Sequence, residues 1–309
     1  MKCEGEKVFH KIIKEICVNK QIDISFLSKN WIIKLEKDNK IRYICGYKFC
    51  LNDHSIGCIL DDKFAFYSIL KDKGIPVVEH KIIYNFNNRN EYAKGSNSFE
   101  CIREFYSKNN NHIVIKPNNG TCGIDVYHSN NLMNIEKLLE KMLKKYFSIS
   151  ICPYYHIIAE YRVIVLKNDI KVIYEKRKPL VYGDGKKTVK DLLCEFNPKY
   201  FGKLELDDRI LNKDEIYEYS WKYNLSGGAI CKLYVEDEIK NKIKSIALSV
   251  SKILNIVFGS IDIIRTEDGS LYVLEANSGV MMDNFINQIP NGYNIAKSIY
   301  EEAIVNMFD

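Results

Sequence analysis

Two apolar strand-like runs around an Asp-Gly turn constrain this chain more than any other stretch. Gly259-Ser260-Ile261-Asp262-Ile263-Ile264-Arg265 leads through Thr266-Glu267-Asp268-Gly269-Ser270 into Leu271-Tyr272-Val273-Leu274-Glu275-Ala276-Asn277. The pattern predicts a β-hairpin and therefore an antiparallel sheet. Side chains in a strand alternate faces, so Glu275 and Asn277 point the same way. A turn of about four or five residues sets Asp262 opposite Glu275. Three oxygen-bearing side chains then converge on an otherwise apolar hairpin. Burying them is costly unless a cation offsets the desolvation. An all-oxygen donor set suits Mg²⁺ carried on a nucleotide phosphate better than Zn²⁺. A hairpin whose acids simply face water would show the same letters.

The 309 residues are enough for two or three packed subdomains. Apolar residues make up 46%, which excludes a disordered chain. The net charge of +5 comes from lysines scattered among acids, with no dense basic stripe, so a nucleic-acid partner is not expected. Ten cysteines include no Cys-x-x-Cys pair, which argues against a zinc ribbon or a thioredoxin-like motif. The start, Met1-Lys2-Cys3-Glu4-Gly5-Glu6, runs into an amphipathic pattern and not an apolar one, so reduced thiols and a cytoplasmic location are expected. No apolar run approaches the roughly 18 residues of a membrane span.

Helical and strand periods are interleaved along the chain. Residues 5–19 carry Val8, Ile12, Ile13, Ile16 and Cys17 on one helical stripe. Short strand-like runs follow, including 31–35 and 41–44. Asp61-Asp62-Lys63 opens a helix over 64–73, closed by Gly74. A second helix is expected over 91–109, a strand over 112–117, another over 124–127 and a helix over 134–147. Strands 157–166 and 170–177 form a hairpin around Lys167-Asn168-Asp169. A polar excursion spans roughly 178–228, with a helix opened by the capping-box pattern Thr188-Val189-Lys190-Asp191. Helices over 236–254 and 296–307 complete the reading. The class expected is α+β (α/β) with mostly antiparallel hairpins.

Three further segments could carry chemistry. In 112–127 a strand ends at Lys116-Pro117 and a loop, Asn118-Asn119-Gly120-Thr121-Cys122-Gly123, follows. Glycines let backbone N–H groups approach an anion, and a lysine adds a point charge. It is not a Walker A loop, since no Gly-Lys-Ser/Thr follows. An ordinary glycine-rich turn is the plainer reading. In the 157–177 hairpin, Glu160 and Arg162 share a face, Glu160 lies opposite Lys176, and Arg162 lies opposite Tyr174. That face could serve a ribose and phosphates, or could be a solvated ion pair of small energetic weight. Asn224-Leu225-Ser226-Gly227-Gly228 marks a turn with close backbone approach.

Taken in order, these segments resemble the ATP-grasp superfamily, specifically its carboxylate–amine ligases, over about residues 58–309. Lys116 to Gly123 resembles the family's phosphate loop, and Glu160-Tyr161-Arg162 its Glu-Tyr-Arg strand. Pro179 to Val189, with Gly183-Asp184-Gly185-Lys186, is similar to a segment of cyanophycin synthetases and of the ligase half of bifunctional glutathione synthetases. Asn224 to Gly228 and the trio Asp262, Glu275 and Asn277 complete the series. Cys122, and Ser278-Gly279-Val280-Met281-Met282 in place of a downstream proline, depart from the pattern.

The resemblance implies two α+β subdomains gripping ATP. Residues 1–57 would form a short N-terminal domain, 58–150 the small subdomain with the glycine loop, and 151–309 the subdomain with the metal site. It implies that Lys63, Lys116 and Lys176 contact nucleotide phosphates and that Asn119, Gly120, Thr121 and Gly123 close over them. Ile151 and Tyr154 would flank adenine, and Glu160 would hold the ribose. Asp262, Glu275 and Asn277 would bind Mg²⁺ (or Mn²⁺). Arg162, with Arg177, would stabilise an acyl phosphate. The expected activity is ADP-forming amide-bond formation between a carboxylate and an amine, small molecules or peptides, with an amino acid or a peptide as the expected substrate. Modification of a peptide or protein, and a non-catalytic ATP-binding protein of the same fold, are the alternatives. A homo-oligomer is a further expectation from similar enzymes.

Overall fold

The computed structural model describes residues 6–85, 99–202 and 207–309. Helix α1 (Val8–Lys20) buries Phe9, Ile12, Ile13, Ile16 and Cys17 and ends at Gln21, whose φ is 54°. A four-stranded antiparallel sheet follows, of β1 (Asp23–Leu27), β2 (Ile32–Lys37), β3 (Lys40–Cys45) and β4 (Lys48–Phe49). The β2–β3 turn is Asp38-Asn39, with φ of 50° and 61°, the paired left-handed conformation of a two-residue hairpin loop.

Helices α2 (His54–Asp61) and α3 (Lys63–Asp72) lead out of this sheet. Asp62 caps α3 by accepting from the Ala65 backbone N–H. The next sheet is built from β5 (Lys81–Tyr84), β6 (Ile113–Pro117), β7 (Tyr127–Ser129) and β8 (Ser148–Pro153), in the order β5-β8-β6-β7. Helices α4 (Phe99–Lys108) and α5 (Leu132–Leu143) cover one face through Ile102, Phe105, Ile135 and Leu139.

The largest sheet has five strands in the order β13-β10-β9-β14-β15: β9 (Ile157–Leu166), β10 (Asp169–Arg177), β13 (Ile230–Lys232), β14 (Phe258–Thr266) and β15 (Leu271–Asn277). Between β10 and β13 the polar excursion folds on its own small core of Val181, Val189, Leu193, Tyr200 and Leu211. It holds the hairpin β11 (Leu180–Tyr182) and β12 (Ile216–Glu218) and helix α6 (Val189–Phe196), with the Thr188/Asp191 capping box in place. Helix α7 (Asp237–Ile253) precedes β14, and α8 (Asp283–Gln288) and α9 (Gly292–Phe308) follow β15.

Strand alternation decides what each face of the five-stranded sheet meets. Ala159, Tyr161, Val163 and Val165 of β9 pack with Ile239, Ile243 and Val250 of α7. On the other face Ile164 and Leu166 join α1, α9 and the N-terminal sheet. Glu160 and Arg162, on that same face, are left for a cleft. The N-terminal sheet therefore covers half of one face and leaves the other half open.

The expected α+β class with antiparallel hairpins is what is seen: every strand pairing within the four sheets is antiparallel. The strand expected over 124–127 begins only at Tyr127. Cys122 and Asp125 take φ of 58° and 52°, which keeps the chain turning until then. The helix expected over 91–109 is seen as Phe99–Lys108; its expected start lies outside the described residues. Helices α2 and α8 and strands β5 and β8 were not foreseen. Among the described residues no helix is long and apolar enough to cross a membrane.

Candidate active site

A cleft of about 630 Å³ lies between the β5–β8 sheet and the five-stranded sheet. Six lysine and arginine side chains and four carboxylates line it, so it is electropositive on balance.

Its floor follows from strand register. Lys176 pairs with Glu160 and Tyr174 with Arg162 across β9–β10, the pairing expected from the sequence. Asp262 pairs with Arg162 across β14–β9 and with Glu275 across β14–β15. Arg162 grips Asp262 with two bonds, Nε to Oδ1 at 2.7 Å and a terminal nitrogen to Oδ2 at 2.6 Å. Lys176 Nζ donates to Asp262 Oδ2 at 3.0 Å and is also ion-paired with Glu160. Asp262 is 1% exposed. Burial alone would raise its pKa, but Arg162 and Lys176 overcome that and hold it at about 2. Burial wins at Glu160, whose pKa is raised although Lys176 opposes the shift. The Arg162 guanidinium is buried, yet Asp262 keeps its proton firmly in place.

Glu275 sits at the rim. Its carboxylate stands 4.0 Å from Lys63 Nζ. Lys63 opens α3 and donates to the carbonyls of Gly120 at 2.6 Å and Asn118 at 3.3 Å, tying α3 to the base of the glycine loop. Burial lowers the Lys63 pKa, and Glu275 opposes the shift. A β-bulge between Asp262 and Ile263 brings Leu274 and Glu275 in succession onto the cleft side. Asn277 follows on the same side, so Asp262, Glu275 and Asn277 meet in one cleft with Lys116 of β6. Two carboxylates and an amide facing it fit a hard divalent cation. Among the described residues no three His, Cys, Asp or Glu side chains make a metal cluster of their own.

The glycine loop closes the top. Gly123 (φ 66°) lies so close to the Asn224 side chain that an added Cβ would stand 2.8 Å from its Nδ2. Lys222 Nζ donates to the Gly123 carbonyl at 3.1 Å. Asn224 in turn accepts from the backbone N–H groups of Ser226 and Gly227, which fixes that turn. Asn119, Gly120 and Thr121 line the cleft between these anchors.

At one end the cleft is aromatic. Tyr154 stacks on His112 with ring centroids 4.0 Å apart, and His112 Nε2 meets His128 Nδ1 at 2.9 Å. Trp221 stands edge-on to His128 at 4.8 Å. Val114, Cys152 and Ile264 supply the apolar base.

Two expected site residues do not belong here. Ile151 is fully buried in the core under α4 and α5. In β8 the residue facing the cleft is Cys152, so Tyr154 flanks the aromatic end without Ile151. Arg177 is exposed, pairs with Glu175 and points away from Lys176, as a period of two requires. Lys222, Trp221 and the N-terminal residues Trp31 and Tyr47 line the cleft and were not singled out from sequence. Trp221 and Lys222 stand just before the Asn224 turn, and that proximity was the available signal.

Comparison with known proteins bears on the fold. Residues 201–283 match the family described as D-ala D-ala ligase C-terminus. A D-alanine–D-alanine ligase B of Clostridium perfringens is 27% identical over 120 residues, 38% of each chain. A bifunctional glutathione synthetase from Pasteurella multocida superposes with a TM-score of 0.58 at 19% identity, over 96% of this chain and 44% of that one. A D-alanine–D-alanine ligase from Bacillus anthracis gives 0.52 at 17% identity, over 81% of this chain and 66% of its own. The same enzyme complexed with ATP gives 0.50 at 16% identity, over 81% of this chain and 64% of its own. This chain thus spans well under two thirds of the curated relative and of the glutathione synthetase. The chain has the ATP-grasp fold, as the order of its motifs implied, and these matches fall among carboxylate–amine ligases.

Proposed function

We propose that this chain is an ATP-dependent carboxylate–amine ligase that forms an amide bond through an acyl phosphate and releases ADP. The observation that carries the reading is the shared cleft. An ion-paired Glu160–Lys176–Asp262–Arg162 floor, Lys116, the glycine loop and the rim pair Glu275 and Asn277 all face it.

In this reading the aromatic end beside Tyr154 receives adenine and Glu160 receives the ribose. Lys116, Lys176 and Lys63 hold phosphate oxygens, and Asn119, Gly120, Thr121 and Gly123 close over them. Asp262, Glu275 and Asn277 would hold Mg²⁺ (or Mn²⁺), which would neutralise phosphate charge when bound. The substrate carboxylate attacks the γ-phosphorus, and the amine then displaces phosphate from the acyl carbon. Arg162 stabilises charge on the transferring phosphoryl group. The loop pair 119–123 and 222–226 shuts water out, which matters because an acyl phosphate hydrolyses. The Bacillus anthracis enzyme complexed with ATP, which shares the fold, supports ATP as the nucleotide. The substrates are a carboxylate and an amine of small-molecule or peptide size.

The domain division belongs to this proposal. An edge at 150/151 would cut β8, and one at 57/58 would cut α2, so the sheets favour edges near 53 and 155.

The test is ADP release from ATP with paired amino acids and short peptides. Glu275→Gln should lower the rate at least about a hundredfold while leaving the melting curve in place. Glu275 is the better probe than Asp262 because it sits at the rim, outside the buried network. Wild-type turnover in Glu275→Gln overturns the metal assignment. ATP binding without ADP release on any pair, with peptides included, favours a nucleotide-binding protein that does no ligation.

A further inference from the structure

Beyond the metal end of β15, the wall of the cleft comes from the N-terminal sheet. The Val280 N–H donates to the Tyr47 carbonyl at 3.1 Å, and Lys48 bridges to Gly279. That pairing places Tyr47 and Met281 beyond Asn277, and Trp31, against Gly46 next to Tyr47, lines the same cleft. Trp31 is 62% exposed and its ring packs close against Gly46. A Cβ on Gly46 would stand 2.7 Å from the indole ring, so glycine there (φ 61°) is what lets the ring approach this closely. The Trp31 carbonyl accepts from the Gly46 N–H at 2.8 Å and fixes the strand end that carries the ring. Lys48 in this wall is ion-paired with Asp61, and the Asp283 carboxylate stands beside Tyr47.

Resting on the ligase reading, we propose that Trp31, Tyr47 and Met281 form a specificity subsite for a substrate with a large apolar or aromatic side chain. An amino acid or peptide bearing Leu, Met, Phe or Trp is the class it takes. The subsite is well placed for the reacting centre, because it begins where the proposed metal-binding strand ends. It is also distinct from the aromatic end around Tyr154, which belongs to the nucleotide in the same reading. An indole largely open to water gains when an apolar side chain covers it.

The experiment has two arms on the full chain. In the first, ADP release is measured with ATP, Mg²⁺ and pairs drawn from L- and D-amino acids and dipeptides. Pairs with one Leu, Met, Phe or Trp member should be preferred over pairs made only of Asp, Glu, Lys or Arg. Trp31→Ala and Met281→Ala should each raise KM for that member about tenfold, about 1.4 kcal/mol, with KM for ATP within about twofold of wild type. Preference for charged members, or an unchanged substrate KM in Trp31→Ala, overturns the subsite.

The second arm does not need turnover. The chain has two tryptophans, so Trp221→Phe leaves Trp31 as sole reporter. Its fluorescence should shift saturably with phenylalanyl-phenylalanine and not with aspartyl-aspartate, and Met281→Ala should weaken the response. No ADP with any pair alongside a saturable shift sinks the ligase reading and keeps the subsite. No saturable shift sinks the subsite, whatever the first arm gives.

Discussion

The floor of the cleft is made of antiparallel strands and its far wall of turns and a segment beyond a strand end, and their side chains are opposite in kind. On the floor, Glu160, Arg162, Lys176 and Asp262 come from β9, β10 and β14 and satisfy one another out of water. On the wall, Trp31, Tyr47 and Met281 come from the N-terminal sheet and the segment after β15, and Trp31 stands largely in water. In a cross-paired buried network, removing any member leaves another charge buried and unmatched. An exposed ring has little to lose. The floor is suited to fixed electrostatics common to any substrate, and the wall to discrimination between substrates.

The comparison breaks first at Asp262. Asp262→Ala strands Arg162 and Lys176 and should destabilise the chain by about 3–5 kcal/mol, read as a drop in urea midpoint. A loss below about 1 kcal/mol would show that the floor is not a coupled network. Next comes Gly228→Ala, beside the Asn224 turn. Gly228 takes φ 110°, and an added Cβ would stand 2.0 Å from the Tyr200 hydroxyl. A cost of about 2–4 kcal/mol in the same assay is expected, from backbone strain and the overlap together.

Acid tests the floor more gently. The Asp262 pKa is about 2 in the folded chain, below its ordinary 3.8. The depressed value contributes stability above about pH 4 and loses it as pH falls through about 2. The wild-type melting temperature should therefore fall more steeply across that window than that of Asp262→Asn. Glu160, whose pKa is raised, acts in the opposite sense and at higher pH. Smallest of all, Trp31→Ala should change stability by no more than about 0.5 kcal/mol, because the ring covers little buried surface. A large loss would make Trp31 a structural residue and erase the contrast between wall and floor.

The parts of this site legible in the sequence are those that obey a local period. Glu160 opposite Lys176 and Arg162 opposite Tyr174 follow from alternation and turn length, and the structure shows both pairings; Asp262 opposite Glu275 is also seen, but a bulge produces it. The bulge that delivers Glu275 is not a periodic feature. A regular ladder continuing from Ile263 and Val273 would have set Leu274 against Asp262. Ile151 was misplaced because β8 was not seen as a strand, so its parity was never applied. Arg177 was expected from the family resemblance, although its neighbour Lys176 already occupied the cleft face. The far wall was illegible for a different reason. Trp31 and Met281 are 250 positions apart, and only the folded sheet-to-segment pairing joins them.

The lysine that reaches from one loop to the other has a kinetic meaning. Lys222 on the Gly123 carbonyl, with Asn224 wedged against the same glycine, fastens the roof of the cleft from both sides. In the proposed reaction this clasp spans the roof under which ATP would enter and ADP would leave, so its opening would accompany both steps. Lys222 grips a neutral carbonyl and not a carboxylate, so the clasp is a charge–dipole contact, light enough to be undone once per catalytic cycle.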